Sequence, residues 1–92
     1  MTNAIILLKT TKERINEVAQ AIVDLDGVTE VYSVAGQYDL AAIIRAPGDS
    51  QVASLVTEQI LLVEGILSSE TLIAFRTYSR YDLEHMFSIG MD

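Results

Sequence analysis

Gly36-Gln37-Tyr38-Asp39-Leu40 is the stretch of this 92-residue chain best equipped for chemistry. It lies between two apolar, strand-like runs, Val28 to Val34 before it and Leu40 to Ile44 after it. Gly36 can take positive φ without a Cβ penalty, so it can turn the chain tightly back on itself. Tyr38 and Asp39 then place one amphipathic ring and one carboxylate at the hairpin tip. A hairpin that only builds a core needs neither. Asp39 has two readings: a binding group, or a cap that hydrogen-bonds the turn's own backbone, as Asp does in turns. Tyr38 is either a wall of a site or interface packing, for which tyrosine is favoured.

The other reactive side chains form no constellation. His85 is the only histidine and there is no cysteine, so one chain lacks the nitrogen and thiolate ligands of a common metal site. The missing cysteines also exclude disulfides and a thiol nucleophile. Asp24, Asp26, Glu30, Glu58 and Glu64 read as solvated faces and helix ends rather than a paired acid and base. Arg14 and Arg45 have no glycine-rich loop that would make them phosphate binders. No catalytic residue, metal or cofactor is therefore expected.

Charge narrows the partners. Thirteen acids oppose six bases, a net charge of −7, and the bases are scattered. Binding to nucleic acid or to an anionic membrane rests on clustered Lys and Arg and is disfavoured. Asn3 to Leu8 is too short for a signal peptide and lacks its basic start and cleavage site, and no apolar run reaches membrane-spanning length. A cytoplasmic chain is expected.

The elements that must position the hairpin follow from periodicity. Ala4-Ile5-Ile6-Leu7-Leu8 reads as a buried strand. Thr10-Thr11-Lys12-Glu13 matches a capping box, with Thr10 as N-cap. Ile15, Val18, Ala19, Ile22 and Leu25 follow at helical spacing, and Gly27 ends that helix. The hairpin strands are expected near 28–35 and 39–46. Pro47-Gly48 is punctuation, and Asp49 or Ser50 can cap a second helix whose apolar face is Val52, Leu55, Val56, Ile60 and Val63. Gly65 closes it, and residues 66–77 form the last strand. The order β-α-β-β-α-β predicts a ferredoxin-like α+β fold, a four-stranded antiparallel sheet with two helices on one face.

That fold leaves one sheet face without helices. A strand with one wet face alternates apolar and polar residues. Ala4–Leu8, Leu40–Ile44 and Leu72–Phe75 are apolar on both faces instead. An apolar patch of that size marks an interface, so two copies are expected to pack sheet against sheet as a twofold dimer. Residues 78–92 form a short amphipathic tail, with Leu83, Met86 and Phe87 at i, i+3 and i+4. It docks on its own sheet edge or across the dimer.

Asp26-Gly27-Val28, Gly36-Gln37-Tyr38-Asp39-Leu40, and Glu64-Gly65-Ile66 leading to Thr71-Leu72-Ile73, set in this element order, resemble the effector-binding domain of the Lrp/AsnC transcription regulators, also called the RAM domain. The similarity covers about residues 3–77, so residues 1–77 read as that domain. Met1 leads at once into the first strand, which implies a stand-alone version without the family's N-terminal helix-turn-helix DNA-binding domain. The resemblance implies a dimeric α+β barrel, a homodimer assembling into a ring of dimers. It also implies a small effector, typically an amino acid, bound in clefts between dimers, and possible assembly with a full-length Lrp/AsnC-type regulator.

Carried over by position, the ligand-binding set is Gly36, Gln37, Tyr38 and Asp39, with the adjoining strand end Ser33, Val34 and Ala35. Ser68, Ser69 and Thr71 early in the last strand match by place alone. In such a site Asp39 could pair an ammonium group. Backbone N–H groups around Gly36 could hold a carboxylate, and Tyr38 could wall the side chain. The function implied is a non-enzymatic, oligomeric small-molecule sensor linked to transcriptional regulation of amino acid metabolism. The competing reading is a small dimeric α+β barrel enzyme, monooxygenase- or isomerase-like, with a pocket between sheet and helices. Fold alone does not separate the two.

Overall fold

The first strand, β1 (Thr2–Thr10), pleats so that Ala4, Ile6, Leu8 and Thr10 are buried while Ile5, Leu7 and Lys9 face the other way. Successive side chains of a strand point to opposite faces, so one apolar run supplies two surfaces. In the computed structural model, which describes residues 1–78 and Arg80, the elements continue as α1 (Ile15–Val23), β2 (Val28–Ser33), β3 (Leu40–Ala46), α2 (Asp49–Glu58) and β4 (Ile66–Ala74). Short 3-10 turns at Lys12–Arg14 and Ile60–Leu62 lead into α1 and out of α2. The sheet order is β2-β3-β1-β4 and every neighbouring pair is antiparallel, which is the expected ferredoxin-like arrangement.

The core lies between the sheet and the two helices. Val18 and Ile22 of α1, Val52, Leu55 and Val56 of α2 and Ile60 of the following 3-10 turn are buried against Ala4, Ile6, Leu8, Leu40, Ala42 and Ile44. Helix α1 packs on β2 and β3, whereas α2 packs on β3 and β1. Strand β4 stands at the sheet edge with no residue buried.

Gly65 must be glycine for two reasons. Its φ of +107° is left-handed, and a Cβ there would meet Arg14 Cδ at 3.0 Å and Val18 Cγ2 at 3.1 Å. Its carbonyl accepts the Thr11 N–H at 2.9 Å, which ties the start of β4 to the end of β1.

Three local expectations need correction. Thr10 does not cap α1. It ends β1 with its side chain buried, so its backbone stays in the ladder, and α1 is entered through the Lys12–Arg14 turn without a side-chain cap. Asp49 and Ser50 do not cap α2 either. Gly48 occupies the cap position, Asp49 Oδ1 accepts a hydrogen bond from Thr2 Oγ1 at 2.9 Å, and Ser50 Oγ donates to Gln51. Strand β4 ends at Ala74 rather than at residue 77, because β1 offers no rung beyond Asn3 in that ladder. The tail with Leu83, His85, Met86 and Phe87 lies outside the described residues.

Candidate functional site

Asp39 ties the β2–β3 connection, residues 34–39, to the sheet in three ways. The Asp39 N–H donates to the Leu8 carbonyl at 2.8 Å, and its own carbonyl accepts from the Val34 N–H at 3.0 Å. Its carboxylate Oδ2 accepts the Thr10 N–H at 2.9 Å. The regular β1–β3 pairing ends at Leu8 opposite Leu40, so the side chain continues the ladder where the backbone has turned away. The hydrogen bond to the turn is thus present, and it reaches β1 rather than the hairpin's own amides.

Tyr38 lies in the loop just before β3. Its hydroxyl donates to Glu70 Oε1 at 2.7 Å, bracing the loop against β4. A phenolate beside a carboxylate is disfavoured, so this hydrogen bond, with smaller contributions from desolvation and charge, raises the Tyr38 phenol above its ordinary value. Tyr32 is raised in the same sense by Glu30. The sign sets the window: the Tyr38–Glu70 contact holds below the usual tyrosine pKa and is lost as pH rises through the raised one. Glu70→Gln is expected to lower the Tyr38 phenol toward its ordinary value in an NMR titration of the ring. An unchanged midpoint would mean that Glu70 does not hold the phenol.

Gly36 and Gln37 form the exposed tip, and Gly36 has the expected left-handed φ, +133°, with open space where a Cβ would be. Ser33, Val34 and Ala35 are exposed at the end of β2. The early β4 residues divide between the faces. Ser68 pairs with Lys9 and Glu70 with Leu7, on the face away from the helices. Ser69 pairs with Leu8 and Thr71 with Ile6, on the helix side. Ser69 is therefore one rung from Asp39, through the shared Leu8, while Thr71 is two residues farther along the strand.

Glu70, the partner of the Tyr38 hydroxyl, is a contact of the hairpin that sequence reasoning missed. The signal was present, since Ser68, Glu70 and Leu72 alternate onto the same face as Leu7 and Ile5, and a lone acid there needs a partner. Lys9, Ser68, Glu70 and Tyr38 together give one rim of the sheet a cation, two hydroxyls and a carboxylate. Ile6, Leu8, Ile22, Ile44 and Ile60 fill the centre of the space beneath the helices, and a cleft of about 350 Å³ stays open between α2 and β4, lined by Val52, Val56, Thr71 and Ile73. Among the described residues there is no cluster of three potential metal ligands, and no helix is long and apolar enough to cross a membrane.

Comparison with known proteins fixes the family. The model of the Lrp/AsnC ligand binding domain matches residues 3–83. The chain belongs to this family. The crystal structure of TTHA0845 from Thermus thermophilus superposes with a TM-score of 0.82 at 41% identity, over 87% of this chain and 100% of that one. The uncharacterized HTH-type transcriptional regulator PF0250 of Pyrococcus furiosus is 34% identical over 61 residues, 66% of this chain but 41% of the relative. YugG of Bacillus subtilis, another uncharacterized HTH-type transcriptional regulator, is 32% identical over 78 residues, 82% of this chain and 47% of its own length. The Lrp/AsnC chain thus spans about half the length of the curated regulators it matches and all of the Thermus structure. What it shares with those regulators is the ligand-binding domain of a transcription-regulator family.

Proposed function

We propose that this Lrp/AsnC domain is a non-enzymatic, oligomeric sensor of a small molecule of the amino acid class. In this reading it acts on transcription through a full-length regulator of the same family rather than by touching DNA itself. The observation that carries the reading is the braced hairpin. Asp39 and Tyr38 fix its base on β1 and β4, while Gly36 and Gln37 stay exposed at its tip. A rigid base presenting an open rim costs little ordering when a ligand arrives.

The effector lies against Ser33 to Asp39 and Ser69 at the start of β4, with Ser68 on the opposite face and Thr71 two residues farther along the strand. Asp39 pairs the effector's ammonium group through the carboxylate oxygen that Thr10 does not use, backbone N–H groups around Gly36 hold its carboxylate, and Tyr38 walls its side chain. One chain supplies only one wall, since residues 33–37 are all exposed. A second copy supplies the other, so the ligand is shared between dimers and shifts the assembly equilibrium by its differential affinity.

The dimer itself forms through the helix-free sheet face. Ile5, Leu7, Ala41 and Ile43 are already half-buried there, and Leu72 on β4 and Tyr32 on β2 remain 43% and 48% exposed. A second copy presents the same apolar centre, which suits an isologous contact. Residues 1–77 make up the sensor domain in this account, and residues 78–92 are an appended tail.

An amide NMR titration with the effector locates the site. The expected result is that shifts concentrate at residues 33–39 and 68–71. Shifts confined to the helices, with none at the hairpin, would contradict this placement.

A further inference from the structure

At the end of the sheet away from the hairpin, the helix-free face turns from apolar to basic. The β1–β3 ladder runs from Leu8 opposite Leu40, beside the hairpin, to Thr2 opposite Ala46 at the other end. One residue in from that end, Asn3 pairs with Arg45 of β3 on one side and with Ala74 of β4 on the other. A cleft of about 270 Å³ opens there, lined by Asn3, Ile5, Ile43, Arg45, Arg76 and Thr77. It lies at the rim of the face proposed for the dimer.

We infer that this cleft binds a small oxyanion, held by the guanidinium groups of Arg45 and Arg76 and by the Thr77 hydroxyl. Three observations support it. First, the chain has six bases against thirteen acids, yet two of the six line this one cleft, and no acid among the described residues lines it. The ion pairs among the described residues are those of Arg14 with Glu17 and Glu64, so neither Arg45 nor Arg76 has a carboxylate partner there. Two like charges brought to one cleft repel each other, and an anion between them replaces that repulsion with two attractions. The planar fork of a guanidinium matches a phosphate or a carboxylate. Second, the polar wall is already fixed. Asn3 Nδ2 donates to Thr77 Oγ1 at 3.1 Å, which joins β1 to the segment after β4. Thr77 accepts in that bond, so its own hydroxyl proton is left for a ligand oxygen. Third, Asn3 Oδ1 is shut off from water and has no partner. A buried acceptor without a donor is rare. Arg45 stands directly opposite Asn3 in the ladder, and its five N–H donors are enough to serve Asn3 and an anion together. Ile5 and Ile43 make an apolar floor, so an anion with a short apolar body fits as well as a bare one. The site is at the opposite end of β1 from the hairpin and does not depend on the sensor reading.

In the full chain, NMR of the arginine Nε–Hε groups reports the site directly. Inorganic phosphate and butyrate are each titrated to millimolar concentration against sodium chloride at constant ionic strength, because salt screens exposed charges. The Arg45 and Arg76 signals are expected to shift and saturate. Saturation by phosphate alone assigns a phosphate-bearing ligand, by butyrate alone an organic carboxylate, and by both an oxyanion site of either kind. Arg76→Gln, beyond the last strand, and Arg45→Gln, at an exposed position of β3, are each expected to weaken binding about tenfold or more. Made separately, they keep the test open should one of them disturb the fold. Lys12→Gln, at an exposed position outside the cleft, is expected to leave the affinity unchanged. Shifts that never saturate with either anion, or an equal loss in Lys12→Gln, would overturn the inference.

Discussion

In sedimentation velocity, the parent chain is expected to run as a dimer at micromolar concentrations and Leu7→Glu as a monomer. Leu7 lies at the middle of the helix-free face, between Ala41 of β3 and Glu70 of β4. A carboxylate there joins Glu70, so two like charges stand side by side on one face. In a sheet-to-sheet dimer each copy would bury that charge without a partner. An uncompensated buried charge costs about 3–5 kcal/mol. Twofold symmetry counts the penalty twice, and about 1.4 kcal/mol is tenfold in affinity, so the dissociation constant should rise by several orders of magnitude. An unchanged sedimentation coefficient would place the interface elsewhere.

The adjacent residue gives the opposite phenotype. Ile6 points into the helix-side core and has no solvent exposure. Ile6→Ala is expected to lower unfolding free energy by about 2–5 kcal/mol, because it removes apolar contacts and leaves a cavity between two packed layers. A domain of this size has about 5–15 kcal/mol in all, so the variant will unfold at much lower denaturant concentration. Chemical denaturation measures it, and a loss below about 1 kcal/mol would mean that the site collapses around the smaller side chain. The pair separates the two faces of β1: one substitution attacks association, its neighbour attacks the fold.

Much of this was legible from residue order. Of the apolar residues expected at helical spacing, Val18 and Ile22 in α1 and Val52, Leu55 and Val56 in α2 are buried, while Ile15, Ala19, Leu25 and Val63 are partly buried against the same core and the helices end before Leu25, Ile60 and Val63. Gly27 and Gly65 stand where left-handed backbone is needed, with φ of +98° and +107°. Local chemistry was less legible where tertiary contacts competed for the same group. Thr10 has the signature of a cap, but β1 keeps it in the sheet, where Asp39 takes its N–H. Asp49 looks like a cap and instead accepts from Thr2, 47 positions earlier. The role of Glu70 was hidden because its partner, Tyr38, is 32 residues away in sequence. No local pattern reports a hydrogen bond across strands whose register is not yet known.

The candidate site divided in the same way. The hairpin motif could be read directly, since Gly36 and the two residues before Leu40 are nearly contiguous. The β4 contribution could not, since strand alternation sends Ser68 to one face and Ser69 and Thr71 to the other. Which of these meet a ligand depends on what a neighbouring copy brings, and a single chain's sequence does not carry that geometry.

The central claim is that the braced hairpin belongs to a sensor of small amino acid-like molecules. The most direct test is thermal unfolding of the intact protein with each of the twenty amino acids at millimolar concentration. Ligand at about 100 times its dissociation constant adds about 2.7 kcal/mol to stability. For a domain of this size that corresponds to a rise in Tm of about 10 °C or more. The account predicts a concentration-dependent rise with one or a few chemically related amino acids. No rise with any of them would contradict it.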